Sequence, residues 1–432
     1  MNGGRGPRQG PPSVNKRLVL LVTIALVLVA VGVIVWRPLL RSQQLSQGRR
    51  ALEDRAPGQA LQYFHSARQL APDHAETHFQ MARAYRCLGQ LDRVHEALKT
   101  AWRLGYDVAA LKREQWLVLA QTGELKDAEP HLIGLLSDPK ETKAAEISEA
   151  LVRGYFANLR FTQAQQMLDA WQEDYPDDAE PHFLRGYFHE ALYRYKDAVS
   201  EYERGLDKSP GRTDARLRLS GVRVRQQDFA RAERELLRCR SEQPLDLQVQ
   251  VEWALYLFAV RRIDEARNEF RQVLTRAPDN QEALRLMGQI ELAAQRPEEA
   301  LRWLRPAVEK NPCDTILRYA LAQSLQTAGR AAEAEPHFQY VEEAERALRQ
   351  LDFWLPEVLK RPEDVALRYR IGTTVLRYRS ASDGVRWLKS VLEIEPEHPD
   401  THRVLAEYYT QQGDLPAAER HRQRIGKSAD SS

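Results

Sequence analysis

Residues 179–212 read AEPHFLRGYFHEALYRYKDAVSEYERGLDKSPGR, and this stretch is one copy of a pattern that recurs along most of the chain. Its marks are Gly186, Ala198, Tyr202 and Pro210. Working outward, Pro176, Pro210, Pro244, Pro278 and Pro312 stand 34 residues apart. Twelve residues before them come Ala164, Ala198, Ala232, Ala266 and Ala300, and eight before come Leu168, Tyr202, Leu236, Phe270 and Leu304. The place 24 residues before each proline holds Gly186, Ser220, Ala254 or Gly288, with Val152 the one larger residue. Such a period means a repeat array. The spacing fits two short antiparallel helices packed as a hairpin. The small residue of the first helix faces the alanine of the second, and the large residue fills the gap between neighbouring units. Proline ends the second helix because it lacks an N–H and biases its predecessor away from helical geometry. A single unit leaves an apolar face exposed, so the units stack into a one-dimensional superhelix with a concave and a convex side.

These marks resemble the tetratricopeptide repeat family, and the resemblance implies an all-α solenoid, a right-handed superhelix of helix hairpins. The frame gives units near 41–74, 75–108, 109–144, 145–178, 179–212, 213–246, 247–280, 281–314 and 315–346. Between 347 and 364 it breaks at a helical insertion, read as a lengthened second helix plus a turn around Phe353, Trp354, Leu355 and Pro356. Units resume over 365–426, and 427–432 form a disordered tail. Two departures, Arg185 at an apolar place and Gly384 in place of the alanine, predict less tightly packed units. Gly89, Gly123, Gly329 and Gly413 fall at hairpin turns, where a left-handed backbone is needed.

Leu18 to Trp36 is an uncharged, apolar-rich run of 19 residues. At about 1.5 Å per residue it comes close to the hydrocarbon thickness of a bilayer. It is read as a single transmembrane helix behind a disordered basic tail, 1–17. The competing reading is a cleaved secretory signal, but the run is longer than the usual signal core. Lys and Arg counts on the two flanks nearly tie, so orientation rests on the tail, whose charges are free to stay on the cytoplasmic side. That puts the repeats on the exported, extracytoplasmic side, with the cytoplasmic side as the alternative.

The frame occupies nearly all of the 432 residues and leaves no room for a separate catalytic domain. A net charge of +2 gives no basic excess of the kind a nucleic-acid binder carries. The three cysteines, Cys87, Cys239 and Cys313, form no Cys-x-x-Cys pair. Cys239 falls where other units have Ala67, Gly205 or Ala307 and reads as a small packing residue. His74 with His78, and His398 with His402, are four apart at the entry to a first helix, and His182 stands at the same point as His78. No acidic or cysteine partner recurs beside them, so no metal site is assigned, and neither a catalytic constellation nor a cofactor loop is present.

The remaining functional surface is the concave wall of first helices, which in this family holds an extended or helical peptide. The resemblance implies a protein or peptide ligand there. The corresponding places hold Phe79, Arg83, Arg153, Phe183, Tyr187, Leu217, Val251, Leu255 and Phe258, which form the expected partner-binding groove. Its aromatic, aliphatic and arginine lining favours an apolar stretch with some acidic groups. The function expected is a membrane-anchored interaction scaffold that assembles or positions an envelope complex. The alternative is a component of a machine for polysaccharide or cell-wall export or biosynthesis.

Overall fold

The computed structural model describes residues 36–429, apart from 139, 140 and 142. Among the described residues every regular element is a helix. In chain order these are α1 (36–53), α2 (Pro57–Leu70), α3 (Ala75–Cys87), α4 (Leu91–Arg103), α5 (Val108–Gln121), α6 (Leu125–Leu136), α7 (Ala144–Ala157) and α8 (Phe161–Asp174). There follow α9 (Glu180–Ala191), α10 (Tyr195–Lys208), α11 (Thr213–Arg225), α12 (Phe229–Glu242), α13 (Leu247–Ala259), α14 (Ile263–Arg276), α15 (Gln281–Ala293) and α16 (Pro297–Lys310). The chain continues through α17 (Thr315–Thr327), α18 (Ala331–Arg349), α19 (Leu351–Lys360), α20 (Val365–Tyr378), α21 (Ala381–Ile394), α22 (Pro399–Gln411) and α23 (Leu415–Ala429). None of them is long and apolar enough to cross a membrane. The expected span, Leu18 to Trp36, lies outside the described residues except for Trp36 itself. The array divides after Leu119 into two compact units.

The hairpin packing follows from side-chain size, with one correction to the sequence reading. The small residue of the first helix meets the large apolar residue of the second rather than its alanine. A Cβ placed on Gly186 would come within 2.7 Å of the Tyr202 ring, and one on Gly288 within 2.4 Å of Leu304. The residues of the alanine row are buried. At Gly384, which stands in that row, a Cβ would come within 2.3 Å of the Leu376 backbone. The departure at Gly384 therefore marks a closer approach of the two helices, and the looser unit expected there is not what forms. Ala164, Ala198, Ala232, Ala266 and Ala300 are fully buried, as is Cys239.

The turns inside the hairpins repeat as faithfully. Gly89, Gly123, Gly329 and Gly413 have positive φ, and so do Leu159, Tyr193, Gln227, Arg261 and Gln295 at the matching places of the central units. Without glycine each of those five turns carries left-handed strain of roughly 1 kcal/mol, which the packed helices on either side hold in place.

In the first unit, Phe64, Phe79, Met81, Val94 and Leu98 form the core with Leu111 and Val118. Beside it Arg86 Nε donates to Glu114 Oε1 at 2.5 Å, both side chains being almost fully buried. In the second unit, first helices touch first helices of the next repeat, α7 with α9, α11 with α13 and α15 with α17. The second helices make no comparable contact among the described residues, so the first helices line the inner side of the curve.

The second unit is more than a one-dimensional stack. The insertion carries a whole further helix, α19, where a turn was expected, behind an α18 of 19 residues. Leu351 and Val358 of α19, Leu367, Ile371 and Val375 of α20 and Trp387 of α21 share one apolar cluster with Leu159 and Phe161. Phe161 meets the Trp387 ring edge-on with centroids 6.0 Å apart. Arg368 is 4% exposed and donates through Nη2 to the Leu159 carbonyl at 2.9 Å, 209 residues away in sequence. The array thus returns on itself, and α20 and α21 pack against the α7–α8 turn.

Candidate functional site

A cleft of about 510 Å³ opens on the inner side of the second unit between α7, α9 and α11. Phe183 and Tyr202 form its buried floor. Phe183 reaches its place because Gly205 has no side chain, since a Cβ there would lie 2.4 Å from the ring. Arg212 covers that ring at 4.7 Å, and Arg218 covers the Tyr187 ring at 4.8 Å. Tyr187 remains 42% exposed. Arg153 enters from α7, and Arg386 enters from α21 because the array folds back.

The charges form a chain of pairs. Glu180 is buried, with one carboxylate oxygen 2.6 Å from Arg212 Nη1 and the other 3.5 Å from Arg153 Nη2. Arg212 also donates to both oxygens of Asp214, at 2.9 and 2.8 Å. Burial would raise the Asp214 carboxyl, but the hydrogen bonds and charge of Arg212 outweigh it and hold the group below the usual carboxylate range. Tyr202 donates to Glu190 at 2.9 Å, and burial together with that carboxylate pushes the phenol upward. Farther along the same wall, burial raises the Glu252 carboxyl against the opposing charge of Arg225. The arrangement offers stacked arginine–aromatic pairs for a polypeptide to lie on.

The nine residues expected to form a groove separate into classes. Arg153, Phe183 and Tyr187 line the cleft. Phe183, Leu217 and Val251 are nevertheless buried, so they support the wall from behind, and Leu255 and Phe258 are half-buried against the core that Leu217 and Val251 help to form. In the first unit Phe79 is buried and stacked on Tyr106 at 4.4 Å, and Arg83 donates to Gln80 at 3.0 Å. The nine residues therefore do not form one continuous exposed lining. The row lies in the seam where successive first helices meet, and a large side chain there fills the seam.

Sequence reasoning missed Arg212, Arg218 and Arg386, whose only signal is that arginines flank aromatic places. It also missed a clasp built at the sixth residue after a turn proline. His78 lies 2.7 Å from the Pro72 carbonyl, His402 Nε2 donates to that of Pro396 at 2.9 Å, and Arg216, Arg318 and Arg368 reach those of Pro210, Pro312 and Pro362. The same row contacts the second helix 19 residues on, as in His182 with Glu201 at 2.8 Å, Arg216 with Glu235 at 2.9 Å and His402 with His421 at 2.8 Å. Of the histidines noted for their spacing, His78, His182 and His402 are thus engaged in hairpin clasps, whereas His74 and His398 bond to Thr77 and Thr401 at the start of their helices. Searching for identical residues conceals the row because its members change between His, Arg and Gln250, and Leu284 stands at that place after Pro278.

These features define a solenoid of helical hairpins with an inner groove. Two family models described as tetratricopeptide repeat match the chain, one over residues 149–213 and 251–315 and the other over 51–114 and 191–251. The chain is built of tetratricopeptide repeats, and repeats of this kind imply a scaffold for protein–protein interaction. No curated protein sequence matches it significantly. Among solved structures it is similar to the human IFIT1 dimer with PPP-AAAA at 16% identity and a TM-score of 0.44, covering 82% of this chain and 91% of that one. It is also similar to PilW, described as a widely conserved type IV pilus biogenesis factor, at 12% identity and a TM-score of 0.42, covering 45% of this chain and 91% of that one. A third likeness is to MamA, at 24% identity and a TM-score of 0.31, covering 38% of this chain and 95% of that one.

Proposed function

We propose that the protein is a membrane-tethered scaffold whose cleft between α7, α9 and α11 holds an extended segment of a partner protein. The observation that carries this reading is Tyr187, a large aromatic left 42% exposed on the inner wall beside arginines stacked on rings. Such a side chain gains most when a partner covers it, and aromatic and arginine anchors dominate protein interfaces. The tether is the uncharged run Leu18 to Trp36, long enough to span a bilayer. The flanks nearly tie in Lys and Arg, and the basic tail 1–17, whose charges are free to stay on the cytoplasmic side, favours a cytoplasmic N-terminus with the repeats exported, where the scaffold would assemble or position an envelope complex.

A photo-crosslinking residue at Tyr187 of the intact chain in its own membrane tests the groove. Capture of a discrete partner there, with none from the outward residue Arg234, supports it. Equal capture at both places would overturn it. Resistance of the full chain to carbonate extraction, and reporter fusions at the C-terminus, test the tether and its side.

A further inference from the structure

We propose that the cleft is a seat for an acidic side chain of the partner segment, a carboxylate gripped by Arg153, Arg218 and Arg386 with its aliphatic stem against Tyr187. The inference rests on the reading of this cleft as the partner groove, and adds the chemistry of what enters it.

The cleft holds unspent hydrogen-bonding capacity. The carboxylates in the lining are already engaged. Both oxygens of Glu180 face arginines, and Arg212 takes both oxygens of Asp214. A guanidinium carries five N–H donors and accepts nothing. Arg153 directs Nε to Glu149 at 3.0 Å and Nη2 to Glu180 at 3.5 Å, while Arg218 lies over the Tyr187 ring, reaches Glu190 from Nη1 at 3.5 Å and shares a hydrogen bond with Tyr202. Arg386 pairs with Asp383 on its own helix. These three side chains are 43%, 51% and 42% exposed, so the donors left over are open to the cleft. A cationic side chain would find no free carboxylate there, and a purely apolar one would desolvate the guanidinium groups without return. A carboxylate answers the donors with charge-assisted bonds.

The site depends on the return of the array. Arg153 and Arg218 belong to the inner helices α7 and α11, with α9 between them, but Arg386 lies on α21 and lines the cleft only because α20 and α21 pack back toward α7 and α8. A single repeat cannot supply the set.

The test uses the purified full chain and three fluorescein-labelled dodecapeptides of alternating alanine and leucine, with a central Glu-Glu, Gln-Gln or Lys-Lys pair, read by anisotropy. The Glu-Glu peptide is expected to bind at least about tenfold more tightly than the Gln-Gln peptide, the scale of one charge-assisted hydrogen bond. Arg386→Gln and Arg218→Gln, checked by circular dichroism for an intact fold, should each erase that preference, and added salt should narrow it. Equal binding of the Glu-Glu and Gln-Gln peptides, both lost in Tyr187→Ala, would overturn the acidic seat while leaving the groove reading intact. Binding of no peptide, together with failed crosslinking at Tyr187, would remove both. Tighter binding of a twelve-residue oligothymidylate than of the Glu-Glu peptide would show that the arginines read phosphate, and would also overturn the proposal.

Discussion

Arg368 should be the side chain on which the return of the array depends most. It is 4% exposed and donates to the Leu159 carbonyl at 2.9 Å, Ser390 Oγ at 2.8 Å and the Pro362 carbonyl at 2.5 Å. No carboxylate bonds to it directly, and burial pulls its guanidinium below the usual range against the more distant charges of Glu393 and Glu363. Each hydrogen bond to a charged donor contributes about 1.5–3 kcal/mol, so three amount to roughly 4.5–9 kcal/mol before the cost of burying the charge. That cost is several kcal/mol, and Arg368→Met removes it along with the bonds, but leaves buried carbonyls without their donor. The net expectation is a loss of about 2–4 kcal/mol, concentrated at the closure rather than spread along the array. Spin labels at the exposed positions Thr162 and Glu363, with exposed Cys87 replaced by serine, read the separation of the two sides. The wild-type chain should give one narrow distance distribution and Arg368→Met a broad one, with faster hydrogen exchange in α20. Arg368→Lys should fall between, since an ammonium retains the charge but not the forked geometry. If Arg368→Met leaves both distance and exchange unchanged, the apolar cluster around Phe161 and Trp387 closes the array alone and the polar account is wrong.

Gly384→Ala should cost about 2–4 kcal/mol in chemical unfolding because its Cβ would meet the Leu376 backbone at 2.3 Å, whereas Gly134→Ala, with nothing within 4 Å, should gain about 0.5 kcal/mol. Gln227→Gly and Gln295→Gly should leave stability unchanged or raise it by about 0.5 kcal/mol, because relief of a positive φ outweighs the extra freedom of the unfolded chain, and Gly329→Ala should lower it by about 1 kcal/mol. The terminal hairpin of α22 and α23 should loosen in acid. His402 Nε2 donates to the Pro396 carbonyl, so its Nδ1 accepts from His421 Nδ1, and a proton taken up at His421 brings a charge into this half-buried contact beside Lys389 and Arg420. Burial, then the charges of His402, Lys389 and Arg420, lower His421 to about 4. A lowered folded pKa means stability present above about 6.5 and lost as pH falls toward 4, about 1–2 kcal/mol after solvent screening. Hydrogen exchange in α22 should rise over that window and stay flat in His421→Gln.

The repeat was legible because its marks are local requirements: a proline that stops a helix, a buried row of alanines, and glycines at turns of positive φ. Those requirements are set within one unit and survive in any one copy. Which of them faced which was not legible, because the spacing allowed Gly186 to oppose either Ala198 or Tyr202, and only packing selects the tyrosine. The groove was half legible for the same reason. Phe183, Tyr187, Leu217 and Val251 share a band of successive first helices, but which member stays exposed depends on neighbours such as Gly205, and sequence periodicity cannot rank exposure within a stripe. The contact between Leu159 and Arg368, 209 residues apart, has no periodic signal at all.

That contact also ties the stability of the array to its chemistry. Arg386 sits on α21, one helix beyond Arg368, and both are carried toward α7 and α9 by the same packing of Phe161 on Trp387. If a carboxylate in the cleft gains a bond from Arg386, the ligand favours the closed arrangement over the open one, and closure favours the ligand by the same factor. An acidic peptide should therefore narrow the Thr162–Glu363 distance distribution of the Arg368→Met chain back toward the wild-type one. Its affinity for that variant should drop by the fraction of chains that are open. A peptide that binds the variant as tightly as the wild type, with no narrowing, would mean that Arg386 stands beside the cleft without gripping anything in it, and that the seat is made by α7, α9 and α11 alone.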